Sequence, residues 1–422
     1  MRPAIAVIAD DLTGAADIAG LLARLGVATA LIVGPPGRGQ RPPSVEAVVV
    51  GLRIRTAPVG DAIDLASSTA QWLLTARPDV LAWKVCSTFD STPAGNIGPV
   101  ADALLGLTGL AVALVCPAFP ENGRTVEDGR LLVDGIPLDR TSMRHHPLTP
   151  MRDADLCRLL VPQVADPARV VRLPSIGGGA ADAIDAARAA GSRYVVADAR
   201  DDREAAALGE AVVGRALPVI ASGLIPGIVR GLRSAGRLGP GTARAAPAAI
   251  RGPAVVLAGS CSVATRGQIA AFAVDRPVIR LRLDAPDPAG EAVAAARAAM
   301  HEGAEAVAVV ASDDPAGVER ARRMLGPRAG DSIERWLGEV ASTLAGDGVR
   351  RIIVAGGETS GAVLAALGAR ELRVGAEIAP GVPVLERVAT PRMLIVAKSG
   401  NFGGPDLFER ALTVTAPVGL RA

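Results

Sequence analysis

Short apolar runs alternate with longer Ala/Leu/Arg segments of helical period along almost the whole chain. In the first half the runs predict strands at 4–9, 29–33, 47–51, 80–85, 111–116, 170–173, 194–197 and 218–221, with helical segments between many of them, as at 14–25, 61–75 and 180–190. Strands that are apolar throughout, separated by amphipathic helices, suit a parallel sheet covered on both faces, because neither face then meets water. Two stretches break the rhythm. Residues 123–138, with Leu131-Leu132-Val133-Asp134-Gly135-Ile136, read as a loop and hairpin. Residues 233–253 hold Gly236, Gly239-Pro240-Gly241, Pro247 and Gly252-Pro253 without apolar periodicity, as a linker does. Beyond them, strands are expected at 254–258, 278–281, 306–310, 352–355 and 394–397. The expected fold class is α/β: two lobes with largely parallel sheets, spanning 1–235 and 253–422, a linker at about 236–252, and a ligand cleft between the lobes.

Composition narrows the partners. A chain of 422 residues exceeds one ordinary domain. The net charge of +2 is small, no basic stripe is present and there is a single Tyr, which argues against a nucleic-acid surface. Cys86, Cys116, Cys157 and Cys261 form no CxxC pair and no His/Cys cluster, so they read as reduced thiols of a cytoplasmic protein. The N-terminus enters a strand-like run without the features of a signal peptide. No run approaches the roughly 18 apolar residues of a membrane span.

One count changes the picture. Of 45 basic residues only Lys84 and Lys398 are lysine. Each ends an expected strand and opens a loop of small polar residues. Where arginine serves as the general cation, a retained lysine marks a place for a compact ammonium with three donors.

Ligands of open α/β sheets sit beyond the carboxyl ends of strands, so the loops there are the ones to read. The first is Asp10-Asp11-Leu12-Thr13-Gly14-Ala15. Two adjacent carboxylates cannot both be buried unpaired. One can cap the following helix, and the other is an acceptor or base for a hydroxyl-rich ligand. The second loop, from Lys84 to Asn96, offers Ser87, Thr88, Asp90, Ser91 and Thr92. Arg53, Arg55, Arg124 and the pair His145-His146 are further candidates of the same kind. In the second half, Gly356-Gly357-Glu358-Thr359-Ser360-Gly361 lies between a strand and a helix expected from about Gly361. Helix N-terminal amides favour anions, and glycines let a ligand approach the backbone. With Gly259-Ser260-Cys261-Ser262 and Lys398-Ser399-Gly400-Asn401-Phe402-Gly403-Gly404, three such loops suit nucleotide phosphates. Neither a GxxxxGK[ST] P-loop nor a GxGxxG fingerprint with its acidic partner is present.

Taken in order along both lobes, these stretches resemble the four-carbon acid sugar kinase family. The resemblance implies an N-terminal acid-sugar-binding domain and a C-terminal ATP-binding domain. It also implies transfer of the γ-phosphoryl group of ATP, with Mg2+, to the 4-hydroxyl of a four-carbon acid. Cys86-Ser87-Thr88-Phe89-Asp90-Ser91-Thr92 and Met143-Arg144-His145-His146-Pro147 are more like the branch acting on 3-oxo-tetronate than the threonate or erythronate branches. On this reading Asp10, Asp11, Arg55, Lys84, Ser87, Thr88, Asp90, Ser91, Asn96 and Arg124 hold the acid sugar, and Asp10, Asp11 or Asp90 is the general base. Ser260, Gly356, Gly357, Glu358, Thr359, Ser360, Gly361, Ser399, Gly400, Asn401 and Gly403 hold the nucleotide, and Lys398 stabilises phosphate charge. No residue stands out as a magnesium ligand, and a homo-oligomer stays open. Two departures from the family pattern are Pro226 in Ala221-Ser222-Gly223-Leu224-Ile225-Pro226-Gly227, which removes a backbone donor, and Ile54 between Arg53 and Arg55. Two other classes remain: a lyase or aldolase with Lys84 as Schiff base, and a non-catalytic acid-sugar sensor.

Overall fold

The computed structural model describes residues 2–37, 39–145, 149–175, 179–242, 245–311 and 314–417. The chain divides near residues 243–244 into two compact units.

In the first unit the apolar runs form β1 (Ile5–Ala9), β2 (Thr29–Val33), β3 (Ala47–Gly51), β4 (Val80–Lys84) and β5 (Ala113–Cys116). Three short strands follow, β6 (Arg124–Glu127), β7 (Arg130–Val133) and β8 (Ile136–Pro137), and then β9 (Val170–Leu173), β10 (Tyr194–Ala197) and β11 (Leu217–Ile220). The main strands lie in the order β2-β3-β1-β4-β11-β5-β10-β9, every pair parallel. They are covered by α1 (Leu12–Arg24), α2 (Val59–Leu74), α3 (Ile97–Thr108), α4 (Leu156–Leu160), α5 (Ala180–Ala189), α6 (Asp202–Val212) and α7 (Ile225–Ser234). Burial follows the pattern: every residue of β1, β3 and β4 is buried, including Trp83. The expected hairpin at 123–138 is a three-stranded antiparallel sheet, β6-β7-β8.

The second unit contains β12 (Ala254–Ala258), β13 (Val278–Arg280), β14 (Ala306–Val310), β15 (Arg351–Ala355), β16 (Glu371–Ala379), β17 (Val382–Arg387) and β18 (Leu394–Lys398). Their order is β13-β14-β12-β15-β18-β17-β16. The first five are parallel, and β16 and β17 run antiparallel beside β18. Its helices are α8 (Val263–Phe272), α9 (Pro288–His301), α10 (Pro315–Leu325), α11 (Ala329–Gly346), α12 (Gly357–Ala366) and α13 (Leu407–Thr415). Helix α12 starts at Gly357, four residues ahead of the expected start, so the glycine-rich segment is itself the first helical turn.

Each unit has one place where consecutive strands depart to opposite sides of the sheet, and there the loops beyond the strands diverge and leave a crevice. In the first unit it lies between β1 and β4, where Ala9 pairs with Lys84. In the second it lies between β12 and β15, where Ala258 pairs with Ala355, and Ala355 in turn with Lys398.

Candidate active site

At the β1/β4 crevice the two adjacent carboxylates part company. Asp11 is the N-cap of α1: its Oδ1 accepts from the Gly14 amide at 2.7 Å and its Oδ2 from the Thr13 hydroxyl at 2.6 Å. Asp10 is buried and is gripped by Arg55, whose Nε and Nη2 donate to its two oxygens at 2.7 and 2.9 Å. The same guanidinium lies 3.1 Å from Asp11 and 3.8 Å from Asp90. Burial pushes the Asp10 carboxyl up, against the pull of Arg55. Burial acts on Asp11 too, but Arg55, Lys84, the Thr13 hydroxyl and the Gly14 amide together hold it below the ordinary range.

The loop after β4 folds back on itself. Phe89, fully buried, sits at φ 52°, a left-handed conformation that costs a non-glycine residue about 1–2 kcal/mol. The reversal returns Asp90 to its own loop, where its Oδ1 accepts from the Thr88 hydroxyl at 2.6 Å and its Oδ2 from the Cys86 thiol at 3.2 Å. Burial, with the Asp90 charge, pushes the Cys86 thiol up to about 12. Lys84 is buried, and its Nζ donates to the Val85 carbonyl at 2.9 Å. Its charge pulls downward on the carboxyls of Asp10, Asp11 and Asp17. Asp17, on α1, accepts from the buried Ser222 hydroxyl at 2.6 Å. Burial raises its carboxyl, and its other oxygen has no hydrogen-bond partner.

Several expectations need restating against this geometry. Arg55 was expected on the acid sugar, but its guanidinium is committed to the carboxylates around it. Asn96 donates to the carbonyls of Ile54 at 2.6 Å and Ala57 at 2.9 Å, so its amide pins the turn that carries Arg55, and only its Oδ1 lacks a partner. Ser91 Oγ and Arg124 Nε are also buried without partners, while an Arg124 Nη donates to the Asn122 carbonyl. Ser87 is half-buried, and His145 is exposed in a short 3-10 turn; His146 lies outside the described residues. The two departures from the family pattern fit the local structure. Ile54 is fully buried and fills core. Pro226 falls in the first turn of α7, where a backbone donor has no partner within the helix anyway.

At the β12/β15 crevice three loops lock together. The amides of Gly259 and Ser260 donate to the Ala355 carbonyl at 3.2 and 3.3 Å, and that of Gly356 donates to the Lys398 carbonyl at 3.0 Å. Gly356, at φ 124°, lets the chain turn directly into α12. A Cβ on Gly400 would stand 2.4 Å from Ser260 Oγ, so the loops touch through glycine backbone. Ser360 is buried with its hydroxyl on the Gly356 carbonyl at 2.7 Å, Thr359 is buried, and Glu358 and Asn401 are exposed. Gly357 and Gly361 lie in the first turns of α12. Ser399 and Gly403 lie on the loop after β18.

Lys398 is not placed as a phosphate ligand would be. It has no exposed surface, and its Nζ donates to Thr265 Oγ1 at 3.0 Å, Gln268 Oε1 at 2.7 Å and the Gly400 carbonyl at 2.9 Å. Burial brings it down to about 8. Gln268, also fully buried, turns its Nε2 to the carbonyls of Phe402, Gly403 and Gly404 at 3.1, 2.9 and 3.0 Å. Thr265, Gln268, Asp17 and Ser222 escape sequence reasoning because each stands outside the small-residue loops or looks like an ordinary helix or turn residue. Among the described residues no three His, Cys, Asp or Glu side chains gather as a metal site, and no helix is long and apolar enough to cross a membrane.

Comparison with known proteins gives this geometry its setting. Residues 5–227 match the family model of a sugar-binding N-terminal domain, and residues 255–408 that of a nucleotide-binding C-terminal domain. The chain is 44% identical to a 3-oxo-tetronate kinase of Cupriavidus necator, over 97% of both chains. It is 36% identical to one of Salmonella typhimurium, over 96% of this chain and 98% of the relative. A crystal structure of a Salmonella typhimurium protein described as a putative tRNA synthase superposes with a TM-score of 0.86 at 35% identity, covering 96% of this chain and 98% of that one. That of a Haemophilus influenzae protein gives 0.78 at 35% identity, covering 97% and 100%. With both domain models matched in order and relatives aligned over nearly their full length, the chain belongs to the four-carbon acid sugar kinase family.

Proposed function

We propose that this protein is an ATP-dependent kinase that phosphorylates the 4-hydroxyl of 3-oxo-tetronate. The observation that carries the reading is the presence of two different strand-end sites in one chain. One is a carboxylate, hydroxyl and ammonium cluster beyond β1 and β4, and the other is a set of interlocked glycine loops beyond β12, β15 and β18. Relatives curated as 3-oxo-tetronate kinases, 36–44% identical over nearly the whole chain, support the acceptor.

Phosphoryl transfer asks little covalent chemistry of a protein and much positioning. In the first unit, Lys84 supplies positive charge for the acid's carboxylate, joined by Arg124. The hydroxyls of Ser87, Thr88 and Ser91 take up the remaining oxygens, and the unpartnered Ser91 Oγ suits that use. Arg55 holds Asp10, Asp11 and Asp90 in place instead of holding substrate. Asp10, Asp11 and Asp90 are the candidates for the base, and in each both oxygens already accept hydrogen bonds: from Arg55 on Asp10, from the Thr13 hydroxyl and Gly14 amide on Asp11, and from Thr88 and Cys86 on Asp90. In the second unit, glycines at 356, 400 and 403 leave backbone open to phosphates, as ATP requires. Among the described residues no three His, Cys, Asp or Glu side chains are placed to hold a metal; Mg2+ would enter with ATP and offset phosphate charge there.

The test is to follow ADP release from MgATP with 3-oxo-tetronate, D-threonate and D-erythronate. Release that depends on 3-oxo-tetronate is expected. Borohydride trapping of Lys84 on substrate without ATP would favour a Schiff-base lyase instead.

A further inference from the structure

Lys398 and Gln268 form a chain of polar contacts with a direction. The ammonium spends three hydrogen bonds on Thr265 Oγ1, Gln268 Oε1 and the Gly400 carbonyl. These acceptors fit a tetrahedral ammonium and not a planar guanidinium, which accounts for a lysine here in a chain that otherwise uses arginine. Because Lys398 can only donate, it fixes which end of the Gln268 amide faces it: a flipped amide would set NH2 against NH3+. The Nε2 is thereby sent to the carbonyls of Phe402, Gly403 and Gly404. The Gly400 carbonyl accepts in addition from the hydroxyls of Ser262 and Thr265.

In a planar trans peptide the N–H points opposite to the C=O of the preceding residue. Carbonyls of Gly400, Phe402 and Gly403 held against α8 therefore turn the N–H groups of Asn401, Gly403 and Gly404 away from it. Successive amides facing one way make an anion-binding concavity. We propose that Lys398, Thr265 and Gln268 act as a buried positioning clamp that orients the amides of Asn401, Gly403 and Gly404 toward the phosphates of the nucleotide. Lys398 thus acts on phosphate through the backbone and touches none. The proposal rests on the nucleotide reading of the second unit.

The variant that isolates it is Gln268→Glu. It keeps the size of the side chain and an acceptor for Lys398, but removes both amide donors. KM for MgATP should rise about tenfold or more, as expected for losing two buried hydrogen bonds, while KM for the acid sugar stays put. In the ligand-free protein, the NMR order parameters of the amides at 401, 403 and 404 should fall in both Gln268→Glu and Lys398→Met. Lys398→Arg should behave like Lys398→Met. Unchanged order parameters in both variants overturn the clamp, and so do lowered ones with an unaltered KM for MgATP. Calorimetric titration of the unmodified protein with ADP separates the two claims. Absence of binding removes the nucleotide reading, and with it the orientation toward phosphate, even if the order parameters show that the loop is held.

Discussion

Replacing Arg55 by methionine keeps the length of the aliphatic stem and removes the guanidinium. Asp10, 3% exposed, then loses both of its charge-assisted hydrogen bonds, and Asp11 and Asp90 lose the cation between them. Removing one partner of a buried ion pair costs about 3–5 kcal/mol, because the remaining charge is stranded in low dielectric. At about 2–4 °C per kcal/mol for a domain of this size, the transition of the first unit should move down by about 6–20 °C. Differential scanning calorimetry of the variant beside the unmodified protein measures this. A double variant, Arg55→Met with Asp10→Asn, should regain part of the loss, since the stranded charge is gone. A shift under about 2 °C, or a double variant no more stable than the single one, would refute the reasoning that Arg55 exists to hold the carboxylates.

Three further outcomes are expected. Gly400→Ala places a Cβ 2.4 Å from Ser260 Oγ, so ADP affinity measured by calorimetry should fall while acid-sugar binding is untouched. Lys398 titrates near 8 in the fold against 10.5 ordinarily, so between those values the unfolded chain holds a proton that the folded one does not. Its contribution to stability should therefore rise with pH across that window, and in denaturant titrations the unmodified protein should gain stability relative to Lys398→Met as pH rises through it. The Cys86 thiol, pushed up to about 12, should resist iodoacetamide at neutral pH, and an Asp90→Asn variant should react faster.

The strands were legible because parallel strands buried on both faces are apolar throughout: β1, β3, β12 and β14 match the expected runs to within a residue. Strands β16 and β17 were not, since Arg373, Glu377 and Glu386 break the apolar run and alternate pairing leaves them partly in solvent. The loops that carry the chemistry could be found from their position after strands, but the division of labour within them could not. A cation beside three carboxylates and a cation awaiting a ligand look alike in a sequence, which is why Arg55 reads as a substrate residue and turns out to be internally paired. The same holds for Lys398: the lysine is conspicuous, but its partners Thr265 and Gln268 sit one helical turn apart on an unremarkable helix. Asn96 shows a third form of this ambiguity, its donors being spent on carbonyls some forty residues away.

The central claim is that the γ-phosphoryl group goes to the terminal hydroxyl of a four-carbon oxo-acid. Proton-coupled phosphorus NMR of the product made from MgATP and 3-oxo-tetronate tests it most directly. The 4-hydroxyl sits on a CH2 group and the 2-hydroxyl on a CH group, so the phosphomonoester signal should split into a triplet. A doublet would mean transfer to the wrong oxygen, and no new phosphomonoester with this acceptor, D-threonate or D-erythronate would contradict the account outright.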